Sequence, residues 1–374
     1  MRMHTYFMVN AVLLSLSLSI GHPAIPDGGV PGPLLSSFTT GVNITRWFCY
    51  LPAGDNTQHF ASYFKPADFE ELDRLRVKFV RLCISPDAIY SKGSLIPKVA
   101  QSIDQAVQSL VSHHLTVIWD LHDNGQLKLD QSAGDKAGFV RFWRGVATRY
   151  RSRYRNQVVF ELLNEPQFQH NAPDWYALQA ATVKAIRRID PRRTIMVSAT
   201  SWSSIDTLAT MSPLPEKNLI YTFHCYDPFF FTHQGAEWVG EYPGHFKQIP
   251  FPSSPLAVGQ ILSVNDSKYK GAIEDYGKQH YDATYLHARL EKAMNWGRAR
   301  SLPTVLGEFG AYPKVSPPAS RTRWFQAMRQ AIDSLGVPNA IWGYDDGLGL
   351  GRSVKADGTL YLDPVTLQAF YRRP

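Results

Sequence analysis

The 374-residue chain is 44% hydrophobic and 19% charged, the balance of a globular protein with a sizeable core, which excludes a disordered or fibrous chain. A formal net charge of +7 invites an acidic partner. However, Arg144, Arg149, Arg151, Arg153, Arg155, Arg187 and Arg188 lie along helical stretches, and no basic run is interleaved with stacking aromatics. Solvated helix faces are therefore the plainer reading, and no nucleic-acid partner is expected. Cys49, Cys83 and Cys225 are too few for a disulfide framework or a zinc cluster. Each falls in or just after a predicted strand, where a buried thiol is the default, although one bridge among them stays open.

The chain starts with Arg2 and His4 before an apolar run from Phe7 to Ile20, closed by small residues Ser19 and Gly21. That is short for a membrane span, so residues 1–21 read as a secretory signal, with an uncleaved anchor as the alternative. The expectation is a secreted or periplasmic protein without stable membrane insertion. Residues 22–36, rich in Pro and Gly, read as a flexible N-terminal segment, and 37–374 as one domain.

Within that domain, apolar runs alternate with amphipathic stretches. Strands are predicted at 41–48, 77–85, 116–123, 158–166, 194–201, 219–227, near 303–310, and at 339–346. Between them, helices are predicted at 66–75, through Ile96–Leu110, through Phe139–Tyr150, at 174–189, through Leu286–Met294 and through Trp324–Leu335, with a short one near 367–371. The stretch from 228 to about 278 is irregular and aromatic, a length that in a compact domain usually carries function. Eight such alternations without repeat or linker predict a single (β/α)8 barrel of the α/β class.

The centre of the pattern is VVFELLNEP at 158–166. Val158, Val159, Phe160, Leu162 and Leu163 read as a strand buried on both faces, halted by Pro166, which cannot donate to a ladder. Glu165 is thus left at the C-terminal tip of a barrel strand, where such folds place their chemistry. PTVLGEFG at 303–310 repeats the plan with Glu308. One such Glu is an ordinary surface charge, whereas two at strand tips are the minimum equipment for cleaving a glycosidic bond. The remaining predicted tips supply Arg81, His122, Asn164, His224, Tyr226 and Trp342.

These pieces, FVRLCIS, DLHDN, LLNEPQ, FHCYDP, LGEFG and IWGYDD in that order, resemble glycoside hydrolase family 5, the cellulase-like group of two-glutamate barrels. The resemblance implies a retaining β-glycosidase with Glu165 as acid/base and Glu308 as nucleophile, acting on a β-linked glucan. An endo-β-1,4-glucanase is favoured over a β-1,3-glucanase or β-mannanase. It further implies that Asn164 binds the sugar 2-hydroxyl, that His122 and His224 line the site, and that Trp342 floors it. Arg81 and Tyr226 would donate to Glu308 and hold its pKa down. Trp47 and Trp202 are secondary substrate-binding candidates, for which core packing is the plainer reading. Phe229, Phe230, Phe231, Trp238 and Tyr242 are offered either as a cleft wall or as a plug over the barrel rim.

Two other classes compete. Asp120 and His122 share a strand face, with Asp123 beside them and His224 across the mouth, so a metal hydrolase is conceivable, but it wants a third ligand tip and would divert Glu308. A non-catalytic carbohydrate-binding barrel would need no paired glutamates. No cofactor or metal is implied, and a monomer is expected.

Overall fold

The computed structural model describes residues 26–123, 125–168 and 170–371; the predicted signal segment lies outside them. Eight strands close into a parallel barrel: β1 (Thr40–Phe48), β2 (Phe79–Ile84), β3 (Thr116–Leu121), β4 (Val158–Glu161), β5 (Ile195–Ser198), β6 (Leu219–His224), β7 (Thr304–Glu308) and β8 (Asn339–Ile341). Each pairs with its neighbour in sequence, and β1 closes the ring against β8. Helices α1 (Pro66–Arg74), α2 (Pro97–Ser112), α3 (Ala133–Arg149), α4 (Ala172–Arg187), α5 (Ile205–Thr210), α6 (Ala283–Arg298) and α7 (Pro318–Leu335) follow the first seven strands in turn.

Local chemistry explains the helix boundaries. Ser132 and Asp282 accept backbone N–H bonds at the starts of α3 and α6, each satisfying a donor that the first turn leaves orphaned. Gly336, at φ 63°, ends α7 in the left-handed conformation that glycine adopts without penalty. On α2 the residues Ile103, Val107 and Leu110 are fully buried against the barrel, each such burial being worth about 1.5–3 kcal/mol.

Alternation along the strands sorts side chains to the two sides of the barrel wall. Outward residues such as Val80, Leu82, Val117, Trp119, Phe160 and Leu306 join the large core beneath the helices. Inward residues at the lower end, Phe79, Ile118, Val159, Met196, Ile220, Val305 and Ala340, form a separate apolar layer. That layer is sealed by Val30, Leu34 and Phe38, all buried. The expected flexible segment 22–36 is therefore corrected over its later part: a helical turn at Gly32–Leu35 inserts apolar side chains under the barrel, because the open lower ring would otherwise expose them to water. Gly41 belongs to the same packing, since a Cβ there would lie 2.5 Å from the Phe79 ring.

Strands end earlier than the sequence suggests: β5 stops at Ser198, β6 at His224 and β8 at Ile341. Beyond those residues the ladder thins to single backbone bonds, such as Cys225 N–H to the Glu308 carbonyl at 3.0 Å and Trp342 N–H to the Phe309 carbonyl at 2.8 Å. Of the residues that prolonged the predicted strands, Ala199, Cys225 and Tyr344 join the large core, while Trp342 clusters with Cys49 and Cys83. The segment after β6 contains short helical turns and a nine-residue helix at Lys270–Lys278. Within it Phe231 is fully buried over Trp324, while Phe229, Trp238 and Tyr242 are exposed. The three cysteines are buried thiols outside any disulfide. Among the described residues no helix is long and apolar enough to cross a membrane.

Candidate active site

Above the apolar layer the barrel interior turns polar. The next inward residues are Asn43 from β1, Arg81 from β2, Asp120 from β3, Glu161 from β4, Ser198 from β5 and Thr222 from β6, all buried. Arg81 organises this layer. Its Nε and Nη2 grip the two Glu161 oxygens at 2.6 and 3.0 Å, and its Nη2 also lies 3.1 Å from Asp120. Nη1 donates to Glu308 Oε1 at 2.6 Å and to Asn43 Oδ1 at 3.0 Å, and Nη2 to Asn164 Oδ1 at 2.9 Å. A buried guanidinium is tolerable only when its charge and donors are so matched.

Glu308 reaches this cluster through a bulge. The β6–β7 register runs Thr222↔Val305 and Phe223↔Leu306, then jumps to His224↔Glu308. One extra residue, Gly307, sits on β7, and such an insertion reverses the facing of everything after it. Without it Glu308 would follow Leu306 toward the helices. The bulge requires glycine: a Cβ at 307 would clash with Thr222 Oγ1 and lie 3.1 Å from His224 Nε2. In the cleft Glu308 Oε2 accepts from the Tyr226 hydroxyl at 2.9 Å, so Arg81 and Tyr226 both donate to it, as expected.

Glu165 sits just past β4 at φ 44°, a strained conformation for a side-chain-bearing residue. Its side chain keeps 25% exposure and has no Arg contact among the described residues. Burial, reinforced by the nearby Asp120 and Glu161 carboxylates against the pull of Arg81, pushes its carboxyl up to about 8. Glu308 is also raised by burial, with the Glu165 carboxylate adding to the rise, but His224 and Arg81 pull it down. The expectation that its donors hold Glu308 below the ordinary range is thus corrected: in so dry a cleft, burial outweighs them. The carboxylates are close enough that the pair shares its protons. Glu308, which accepts two strong donors, ionises first, and the proton stays on Glu165.

His224 links the two. Its Nδ1 lies 2.8 Å from Glu165 Oε1 and 3.5 Å from Glu308 Oε2. One oxygen from each Glu and one His224 ring nitrogen all lie within 4.8 Å of one another. Burial lowers the His224 pKa to about 4, so the ring is neutral at pH 7. Its Nε2 has no hydrogen-bond partner among the described residues, so Nδ1 is the ring nitrogen that exchanges a hydrogen bond with Glu165. His122 is likewise neutral, lowered by burial to about 3; its Nδ1 donates to Asp120 at 2.8 Å. Asn164, whose Oδ1 is taken by Arg81, turns its Nδ2 toward His122 Nε2 at 3.4 Å and toward the cleft. Arg81 and His122 both meet Asp120 through its Oδ2. Cys83, Asp120 and His122 form one buried group close enough to hold a metal ion, and Glu165, His224 and Glu308 another.

Trp342 lies flat on His122, with ring centroids 5.1 Å apart and planes 21° from parallel. All eight residues expected at the mouth are brought together. The two outlying tryptophans part ways. Trp47 is 5% exposed, stacks on Phe64 and donates its indole N–H to the Phe60 carbonyl at 2.9 Å; as a sugar platform it is corrected to core packing. Trp202 is 46% exposed on a turn in which Ser201, Trp202 and Ser203 all have positive φ.

Beside Trp342, Tyr50 places its hydroxyl 3.4 Å from His122 Nε2. It also lines a cavity of about 530 Å³ between the loops after β1, β2 and β3, with Asn56, Asp87, Lys98 and Gln126 among its polar lining. Sequence reasoning passed over Asn43, Tyr50 and Glu161. For Asn43 and Glu161 the signal was present: each falls in phase with inward neighbours of its own strand, and a charge in phase with a core face asks for a partner. Tyr50 lies in a loop, where periodicity carries no information.

A family model described as Cellulase (glycosyl hydrolase family 5) matches residues 50–347, which span every strand tip from Arg81 to Trp342. Endoglucanase 3 of Fibrobacter succinogenes is 32% identical over 255 residues, 65% of this chain and 38% of that protein. Endoglucanase C of Acetivibrio thermocellus is 25% identical over 319 residues, 82% of this chain and 91% of that protein. The chain therefore spans well under half of the first relative and most of the second. Among solved structures, Cel5A of Thermotoga maritima with mannotriose aligns at a TM-score of 0.70 and 23% identity, covering 90% of this chain and 99% of that one. Its complex with cellobiose aligns at 0.69 and 22%, covering 89% and 97%.

Proposed function

Because the chain belongs to glycosyl hydrolase family 5, we propose that it hydrolyses a β-linked glucan with net retention, as an endo-β-1,4-glucanase. The observation that carries this reading is the contrast between two carboxyls with oxygens within 4.8 Å. Glu308 accepts from Arg81 and Tyr226, while Glu165 has no cation beside it among the described residues and keeps its proton to about pH 8. Carboxyls about 5–5.5 Å apart suit a retaining reaction; an inverting one needs about 6.5–9.5 Å to admit water.

In the first step Glu165 gives its proton to the glycosidic oxygen as the C1–O bond breaks, and a Glu308 oxygen bonds to C1. The departing sugar leaves as an alcohol and Glu308 becomes a glycosyl ester. In the second step water attacks C1, its proton goes to the Glu165 carboxylate, and Glu308 leaves as a carboxylate, restoring both groups. The Asn164 amide donates to the 2-hydroxyl, a bond that strengthens as C1 gains positive charge. Trp342 holds the sugar ring over Glu308.

Since the leaving group departs toward Glu165, the chain beyond the cut runs toward the loop after β5, where Trp202 is exposed. The retained end runs past Trp342 and Tyr50 into the polar cavity. Residues 1–21 fit this role as an export signal, which N-terminal sequencing of the exported protein would test. The relatives named endoglucanases support the glucan, and purified protein on cello-, manno- and laminari-oligosaccharides tests it. Cello-oligosaccharides should be cut fastest, and proton NMR should show the β-anomer as the first product. A first-formed α-anomer, or preference for another series, would overturn the corresponding part.

A further inference from the structure

Arg81 contacts three carboxylates, and the reaction just described uses one of them. The bidentate grip belongs not to Glu308 but to Glu161, through Nε and Nη2 at 2.6 and 3.0 Å. A guanidinium presents a flat fork, so whichever carboxylate holds its Nε edge sets the plane of the whole group. With Glu161 on that edge, Nη1 is aimed at Glu308 and Asn43, and Nη2 also reaches Asn164. Glu161 is 1% exposed, which is costly for a carboxylate whose sole purpose is to hold a strand.

We propose that Glu161 is a positioning residue for the nucleophile: it aims Arg81 at Glu308 and shares that cation's charge, so that Glu308 is ionised yet remains reactive. The inference rests on the assignment of Glu308 as nucleophile.

The groups that face Glu161 are few. Arg81 comes from β2, Asp120 from β3 and His224 from β6. The Glu165 carboxyl just past β4 feels the same charge, so the basic limb of the pH profile moves with the Glu161 charge as well. Glu308, Asn43 and Asn164 meet the same guanidinium from β7, β1 and the β4 tip. Asp120 shares Arg81 and leans on His122, while His224 is neutral above about pH 4. Glu161 is thus one of two carboxylates that compete directly with Glu308 for Arg81, and the one with the stronger geometric hold. Without its charge, more of the Arg81 field falls on Glu308. The nucleophile then ionises at lower pH, and its lone pairs are held more tightly, so it attacks more slowly.

The test is the pH profile of kcat/KM for an aryl β-cellobioside, measured for the parent, Glu161→Gln and Glu161→Asp, with Tm recorded in parallel. In the parent the acidic limb reports Glu308. In Glu161→Gln that limb should move down by about one pH unit, with kcat reduced and KM nearly unchanged. Glu161→Asp keeps the charge on a shorter arm, so its limb should return to the parent position while kcat stays low, because Arg81 is less well aimed. A limb unmoved in Glu161→Gln, with activity falling only as Tm falls, would reduce Glu161 to a structural ion pair and overturn the proposal. Should Glu161→Gln not fold, the Asp variant decides alone, and parental kcat in it overturns the positioning role. An inactive parent, or an acidic limb in the parent that survives removal of Glu308, would instead refute the assignment of the nucleophile.

Discussion

The two halves of the barrel interior are built from the same strands in the same alternation, yet they are chemical opposites. The lower ring is Phe79, Ile118, Val159, Met196, Ile220, Val305 and Ala340. Two residues further along the same strands stand Arg81, Asp120, Glu161, Ser198 and Thr222. Both layers are equally dry. The lower one stabilises the fold by excluding water, whereas the upper one offsets much of its burial through the hydrogen bonds of Arg81 and stores shifted proton affinities. Stability and chemistry are thus separated by two residues along each strand.

If that division is right, substitutions in the two layers should fail in different ways. The largest effect is expected for Glu308→Ala, with kcat down by roughly 10⁴-fold or more and Tm close to the parent, measured by assay and calorimetry. Glu165→Ala should lose about 10²–10⁴-fold on cello-oligosaccharides and far less on aryl glycosides with good leaving groups. Equal losses across leaving groups would deny its role as acid. Below them, Ile118→Ala should cost about 2–5 kcal/mol in denaturant unfolding without moving either limb of the pH profile. A shifted profile in that variant would dissolve the distinction between the layers.

Smaller effects concern pH. On the proposed mechanism Glu165 must carry its proton to act, so kcat/KM should fall as pH rises through about 8. The same shift is a stability statement. Glu165 binds its proton more tightly when folded than at its ordinary value of 4.5, so its contribution is present below 4.5 and is lost as pH rises to about 8. Glu165→Gln should therefore match the parent in Tm near pH 4 and exceed it by roughly a few degrees near pH 8. The smallest change is expected for Trp202→Ala, a several-fold rise in KM on long oligosaccharides with Tm unchanged, whereas Trp47→Ala should lose about 3–5 kcal/mol of stability.

Much of this was legible in the chain because the barrel repeats one simple unit. Val159 and Phe160 mark a doubly buried strand without ambiguity, and Pro166 marks its end. Glu165 and Glu308 stood out as charges directly after such runs. The positions that escaped notice did so for definite reasons. Glu161 lies inside an apolar stretch and reads as an interruption until Arg81 is seen opposite it. The bulge at Gly307 is a property of pairing between β6 and β7, and no single strand reveals it. Trp47 and Trp202 look alike in sequence, and only tertiary packing separates an indole under Phe64 from one on a strained, exposed turn. The order of residues 30–38 depends on a hole beneath the barrel that local composition does not show.

The central claim, that Glu308 forms a covalent bond to the sugar while Glu165 manages the proton, is most directly tested by trapping. Incubation with a 2-deoxy-2-fluoro-β-cellobioside bearing a good leaving group, followed by peptide mapping by mass spectrometry, should find the added fluorosugar on Glu308. Labelling of another carboxylate, or turnover of this substrate with inversion and no adduct, would contradict the account.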